Sequence, residues 1–418
     1  MDDVIVVGGG IVGLATAYKL LEQKPGLKLR ILEKEKSPGL HQSGHNSGVI
    51  HSGIYYKPGS MKASNCRRGV NELLLFCDKH NVQYDLCGKV IVAINLGEVD
   101  RLEALYRRGL EKGMSDIRII DSQELRDLEP YATGIKALHV PATGIIDYTA
   151  VVDELARQII KRGGEIKTEA TVKGFVKKRE ECIVNTQTYD YPTRLVINCA
   201  GLYSDKIAQL AGENSSISII PFRGEYYVLK PESRHMVNSL IYPVPDSRFP
   251  FLGVHFTRRT NGSVEAGPNA VLAWAREGYR RRDVNLMEVW GLVTNPGFWK
   301  IGRSYWKTGI IEQARSLIKP LFVKALQRLV PEIQGSDLEP GVSGVRAQAM
   351  DKSGKLLDDF YIIQSERFIH VLNAPSPAAT ASFAIGTTIA GQACRIFLGN
   401  KYLTVYRKGF CSKEIIVN

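Results

Sequence analysis

The segment from Asp3 to Glu33 constrains the fold more than any other part of the chain. Asp3 to Val7 reads DVIVV, a continuous β-branched run suited to a strand buried on both faces, and it stops at Gly8-Gly9-Gly10. Ile11 to Leu21 then sets Val12, Ala15 and Leu20 at helical spacing without proline. Pro25-Gly26 breaks that run, and Leu27 to Leu32 reads as a second strand ending at Glu33. Gly8, Gly10 and Gly13 let the first turn tighten and bring backbone amides to a pyrophosphate at the helix N-terminus. Glu33, twenty residues past Gly13, is placed to accept ribose hydroxyls and to repel a 2′-phosphate. The unit predicts a Rossmann-type start and a dinucleotide, NAD or FAD.

The next segment favours FAD. An NAD enzyme usually completes its nucleotide domain in one block, whereas Pro38 to Gly59 is a glycine-rich stretch without a clear period, read as a long functional loop leading into a helix over Met61 to His80. Lys89 to Ile94 reads as a strand, and Asp100 to Lys112 and Ser122 to Glu129 as helices, opening a second domain. Ala150 to Arg162 is helical. Glu165 to Val176, Cys182 to Asn185 and Leu195 to Asn198 read as strands returning to the first sheet. Pro221 to Val228 and Ser239 to Thr257 alternate apolar and polar residues, which suits an antiparallel sheet. A strand pair around Phe360 and His370 and a small-residue helix from Ala378 to Leu398 close the chain. The expected class is α/β (α+β), a Rossmann-type FAD-binding domain interleaved with an antiparallel-sheet substrate domain. Residues 1–82, 145–220 and 338–400 are assigned to the first domain, 83–144 and 221–337 to the second, and 401–418 to a C-terminal tail.

Charge and cysteine usage narrow the function class. Fifty-five Lys+Arg against 43 Asp+Glu leave +12, which favours anionic partners. Seven scattered cysteines, never in a CxxC pair, suggest neither a disulfide framework nor a zinc site, so no metal is expected. No RNP-like aromatic pattern or KH loop supports nucleic-acid binding. No stretch of about 20 apolar residues occurs. Met1 stands two residues before the first strand-like run, so the expectation is a chain made in place or one whose leader was trimmed. The Asn-x-Ser triplets at Asn214 and Asn261 read as chance matches.

Longer blocks carry a resemblance. HQSGHNSGVIHSGIYYKPGS, TGIIDY, NCAGLYSD, PFRGEYYVLKP, YPVPDSRFPFLGVHFT, GPNA, GVRAQA and NAPSPAAT lie along essentially residues 1–400. Together they resemble the D-amino-acid oxidase superfamily of FAD enzymes, and within it the branch acting on L-2-hydroxyglutarate. The resemblance implies a two-domain flavoprotein that oxidises L-2-hydroxyglutarate to 2-oxoglutarate by hydride transfer to flavin N5. It also implies a quinone-linked membrane acceptor and a mitochondrial setting at the inner membrane, with the leader of mitochondrial members absent from this chain. Another 2-hydroxy acid or an amino acid as substrate, or a non-catalytic flavin-bearing membrane module, stand as alternatives. By the same resemblance Ser43, Gly44, His45, Asn46, Ser47 and Gly48 run along the pyrophosphate and isoalloxazine, the Val172 backbone brackets the adenine, and Ala200-Gly201 ends a strand close to the cofactor. Pro377, Ala378 and Thr380 precede a helix whose N-terminal dipole stabilises negative charge on the reduced flavin.

Flavin-dependent oxidation of an alcohol needs a proton acceptor for the hydroxyl and cations for the carboxylates. His51, in the run His51-Ser52-Gly53-Ile54-Tyr55-Tyr56, and His255, in FLGVHFT, are the two candidate bases. Period-2 alternation sets His255 on the face opposite Val254 and Phe256. Tyr56 is read as orienting the substrate. Arg346 falls where superfamily members place the arginine that clamps a substrate carboxylate. Arg223, Arg248 and Lys57 are candidates for the distal carboxylate. His41 joins His45 as a flavin contact, and His80, His139, His235 and His370 read as structural or surface residues.

From Ala275 to Pro331 there are 11 Lys+Arg against 4 Asp+Glu, and all four Trp lie between Trp274 and Trp306. Interfacial Trp with Lys and Arg suits a monotopic membrane anchor. The other reading is a solvated helical insertion with Trp in its core.

Overall fold

A computed structural model describes residues 1–246 and 253–397. Arg248 and the tail 401–418 therefore lie outside the described residues. The strand Asp2–Val7 sits inside a parallel run, paired with Leu29–Leu32 on one side and Asp190–Asn198 on the other. Glu165–Lys167 and Phe368–Asn373 extend the run in parallel at its two ends. Val4, Ile5 and Val6 are wholly buried because both faces of the sheet are covered, as the unbroken β-branched pattern requires. Val7, Leu32 and Asn198 are in register, so the carboxyl ends of three neighbouring strands open on one edge, where open α/β sheets bind ligands.

Two helices cross close together on this sheet, Ile11–Gln23 and Ser382–Phe397. A Cβ on Gly386 would stand 2.7 Å from the Ala15 backbone. That contact explains the small-residue composition of the last helix: a larger side chain would separate the two axes.

The second sheet is nine-stranded and mostly antiparallel. Its spine, Ile217–Leu229, pairs with Gly344–Asp351 and Val264–Leu272. Outward from there run His255–Arg258, Leu240–Pro243, Val90–Ala93, Lys136–His139 and Arg118–Asp121. A small third sheet, Val49–Ile50 with Gly144–Ile146 and Tyr84–Asp85, fixes part of the stretch read as a loop without structure.

Several boundaries differ from the sequence reading. The helix expected from Asp100 begins at Leu96, because Asn95 accepts the Glu98 amide and caps it one turn earlier. Glu165 to Val176 is broken into two strands where Glu169 takes a left-handed conformation (φ 53°) and Ala170 donates to the Glu33 carbonyl. Among the described residues Ser239 to Thr257 holds two short strands, and the last helix starts at Ser382 after turns over 376–381. The basic segment is helical, as Leu286–Val293, Pro296–Leu317 and Lys319–Leu326. Its tryptophans are not in a core: Trp290, Trp299 and Trp306 are 67%, 59% and 56% exposed. No helix among the described residues is long and apolar enough to cross a membrane.

Candidate active site

The N-terminal turn is shaped as a phosphate cradle. Gly8 has φ +108°, and a Cβ there would lie 2.5 Å from the Cys199 carbonyl oxygen; one on Gly13 would lie 2.1 Å from the Gly8 carbonyl oxygen. The helix that follows has Gly10 at its N-cap, no acidic residue in its first turn and no cap from the Gly10 position itself, so its positive pole is open to an anion. Ser43 reaches in from the long loop and accepts the Ile11 amide at 2.9 Å. Glu33, buried at the end of its strand, accepts the Gly9 and Glu35 amides at 2.7 and 2.9 Å. These residues fit the pyrophosphate and ribose of a dinucleotide.

Some of the other residues expected near the cofactor lie against this cradle or its loop. Ala200 abuts Gly8, and Gly201 (φ +54°) lies against Gln42. Val172 is buried beside Val7 and Leu32. Asn46 shapes its loop by donating to the Ser43 carbonyl and accepting the Gly48 amide, and its own carbonyl accepts from Arg259. Ser47 lies half-buried in the same loop. His45 is bonded to the Ser343 carbonyl through Nδ1 at 2.9 Å and packs on Tyr279, while His41 meets Glu35 and Tyr279. Pro377, Ala378 and Thr380 lie in the turns that lead into the last helix. The Thr380 hydroxyl is already engaged with Tyr148 and with the backbone of Val49 and His51.

The structure brings His51, His255 and Arg346 together. His51 follows Val49–Ile50, its amide held by Thr380 and its carbonyl accepting the Cys66 thiol. Its ring makes no hydrogen bond among the described residues. His255 opens its strand on the face away from buried Val254 and Phe256, as alternation requires. Its Nδ1 lies 2.9 Å from the Gly253 carbonyl, so Nδ1–H is the donor and Nε2 carries the lone pair. Burial pushes both imidazoles down to about 3, helped by the charge of Arg346 and of a residue not singled out from the sequence, Lys89. Both rings are therefore neutral at neutral pH.

Lys89 is 1% exposed, with its ammonium 4.5 Å from the Tyr55 ring centroid and 5.0 Å from that of Tyr242. Desolvation pulls it down to about 7. Tyr56 lies near Ser376, and the Tyr55 hydroxyl and Ser52 Oγ are buried without a partner among the described residues. Arg346, the third residue of Gly344–Asp351, is exposed and without a hydrogen bond or ion pair among the described residues. The other proposed carboxylate binders fare differently. Arg223 is buried in an ion pair with Glu225 at 2.9 Å, and Lys57 is exposed on a turn. His370 is buried against Asn198 and Phe368, as a structural residue.

A Rossmann-type cradle beside two neutral histidines and unpaired cations defines a flavin-dependent oxidoreductase site, and the chain belongs to the FAD dependent oxidoreductase (DAO) family, whose pattern matches residues 3–392. Its cofactor is FAD. Within that family it belongs with the L-2-hydroxyglutarate dehydrogenases. The protein of that name from Indibacter alkaliphilus is 51% identical over 94% of this chain and 99% of its own length. The mitochondrial human protein is 45% identical over 93% of this chain and 88% of its own. Among solved structures, FAD-bound L-α-glycerophosphate oxidase from Mycoplasma pneumoniae superposes with a TM-score of 0.76 at 24% identity, over 98% of this chain and 97% of that one. Glycine oxidase from Geobacillus kaustophilus gives 0.71 at 16% identity over 94% and 95%. These two share the fold.

Proposed function

We propose that this enzyme oxidises L-2-hydroxyglutarate to 2-oxoglutarate and passes the electrons to a quinone-linked membrane acceptor. The observation that carries the reading is the pairing of neutral His255, its tautomer fixed by Gly253, with the unpaired guanidinium of Arg346. The names of the relatives supply the substrate. FAD, when bound, supplies the two-electron acceptor for the α-hydrogen. Arg346 holds the carboxylate next to the reacting carbon through its two-pronged donor geometry. His255 Nε2 takes the hydroxyl proton. A base whose other ring nitrogen is engaged is pre-oriented for that task, and neutral His51 beside it hydrogen-bonds the same hydroxyl. Tyr56, near Ser376 in the turns before the last helix, orients the substrate.

A membrane setting is supported by the exposed Trp290, Trp299 and Trp306 among exposed Lys300, Arg303 and Lys307. The human relative, mitochondrial by name, supports a mitochondrial location. The test is anaerobic mixing of the FAD-loaded enzyme with L-2-hydroxyglutarate, its D enantiomer and L-lactate while the visible flavin band is followed. Bleaching by the L diacid alone is expected. Bleaching by none of them removes the substrate assignment. Turnover with a short-chain quinone in place of oxygen checks the acceptor.

A further inference from the structure

We infer that Lys89 binds the distal carboxylate of a five-carbon dicarboxylic substrate and sets the preference of the site for a diacid over a monoacid. The inference rests on the reading that the substrate is a 2-hydroxy diacid, with Arg346 on the carboxylate beside the reacting carbon.

The argument begins with the cations that surround the site. Arg223 is neutralised by Glu225, and buried Arg276 by Asp205 at 2.8 Å. Lys112 donates to the Gly53 and Ile54 carbonyls at 3.1 and 2.9 Å. Lys89 is as buried as any of them, yet its ammonium makes no hydrogen bond or ion pair among the described residues. A buried charge left alone costs several kcal/mol, and a lysine present only for structure would be given a carboxylate or carbonyls. The rings of Tyr55 and Tyr242 hold the ammonium through their π faces, which positions the charge without neutralising it. The backbone is fixed as well, with the Lys89 and Val140 amides and carbonyls exchanged at 3.1 and 2.8 Å.

Position completes the argument. Lys89 leads into Val90–Ala93, whose Ile91 is in register with Tyr242, and Tyr242 in turn stacks on His255. The Lys89 charge acts on both His51 and His255, as the Arg346 charge does. Among the described residues the two imidazoles thus lie in the joint field of Lys89 and Arg346, and none of the groups acting electrostatically on His51, His255 or Lys89 is a carboxylate. A dianion satisfies both cations. A monoanion leaves the ammonium buried and unpaired, and discrimination of this kind is strong because the penalty falls on the wrong ligand. The buried, unpartnered Tyr55 hydroxyl is available for the same carboxylate.

The test compares L-2-hydroxyglutarate with L-2-hydroxypentanoate, the same carbon chain lacking the second carboxylate, in FAD-loaded wild type, Lys89→Met and Lys89→Arg. Glutarate and pentanoate binding are measured in parallel by calorimetry. Lys89→Met is expected to lose about 100-fold in kcat/KM on the diacid, mostly through KM, as truncation of a buried charge pair does. The monoacid should change by a few-fold at most, and Lys89→Arg should recover part of the loss. Equal losses on both substrates would make Lys89 a base or a structural residue and overturn the inference. Should Lys89→Met not fold, wild type still decides, since glutarate binding no tighter than pentanoate is equally fatal. If wild type oxidises neither acid, the substrate reading fails by itself, while the glutarate comparison still judges Lys89.

Discussion

The Tyr242 ring stacks on the His255 ring with centroids 3.9 Å apart and planes 29° apart, and the Lys89 ammonium lies 5.0 Å from the centroid of the same tyrosine ring. One aromatic residue therefore fixes the orientation of the proposed proton acceptor and the place of the proposed substrate-binding cation. His255→Ala is expected to slow anaerobic flavin reduction by about 100-fold to 10,000-fold, the range for loss of a positioned base. Part of the rate should return at high pH, where hydroxide and ionised substrate replace the base. His51→Ala should cost less and show no such return. The reverse pattern in rapid-mixing experiments would transfer the role to His51.

The cradle makes a prediction that separates steric fit from backbone conformation. Gly8→Ala adds a Cβ that meets the Cys199 carbonyl at 2.5 Å and also carries φ +108°. Gly26 shares a positive φ of +84° but has nothing within 4 Å of its would-be Cβ. Gly26→Ala should therefore cost only the conformational penalty, about 1–2 kcal/mol, and keep its FAD. Gly8→Ala should lose FAD on purification, read as the ratio of flavin to protein absorbance. Equal flavin content in the two variants would show that the turn does not hold the pyrophosphate.

What the sequence could show follows from how local each signal is. Asp3 to Glu33 was legible because the strand, glycine turn, helix and second strand each leave their own short-range pattern, and the helix over Met61 to His80 matches its predicted ends. His255 was placed on the correct face by alternation alone. Lys89 escaped because Val90–Ala93 is buried on both faces, so no period marks which neighbours point to the site. The burial of Arg223 depends on Glu225 two residues along the strand and on the carbonyls of Gly278 and Arg280, a long-range contact that no spacing announces. The early start of the helix at Leu96 was legible in principle, since Asn95 is a strong capping residue.

Stability should fall on mild acidification. His370 and His255, both buried, are pulled from 6.5 to about 4 and about 3 respectively. Below 6.5 the unfolded chain binds protons that the folded chain refuses, so the stabilisation is complete above 6.5 and is lost as pH falls toward those values. The slope is at most about 1.4 kcal/mol per pH unit for each such histidine. Denaturant midpoints at pH 7 and pH 5 should therefore differ in favour of pH 7. His370→Gln, which removes one titrating group away from the active site, should flatten the dependence. A midpoint that is unchanged or higher at pH 5 contradicts neutral burial of these rings.

The apolar face of the basic segment gives the last prediction. Pro296–Leu317 is kinked at Tyr305; Trp299 is exposed before the kink, and Trp306, Ile310 and Leu317 recur at helical spacing after it and are exposed, with Leu286, Met287 and Trp290 exposed on the preceding helix. So many large apolar side chains in contact with water carry a penalty of roughly 25 cal/mol per Å², which a bilayer interface removes. Lys300, Arg303 and Lys307 beside them favour anionic headgroups by about 1 kcal/mol each. Vesicles containing phosphatidylglycerol should therefore sediment the enzyme, and more weakly at high salt, because the charge contribution is screened. Trp299→Glu combined with Trp306→Glu should cut vesicle binding at least tenfold while leaving turnover with a soluble dye acceptor unchanged, since neither residue belongs to the active site. Turnover with a quinone embedded in the vesicles should fall in step with binding. Undiminished binding of the double variant would place the membrane contact elsewhere on the protein.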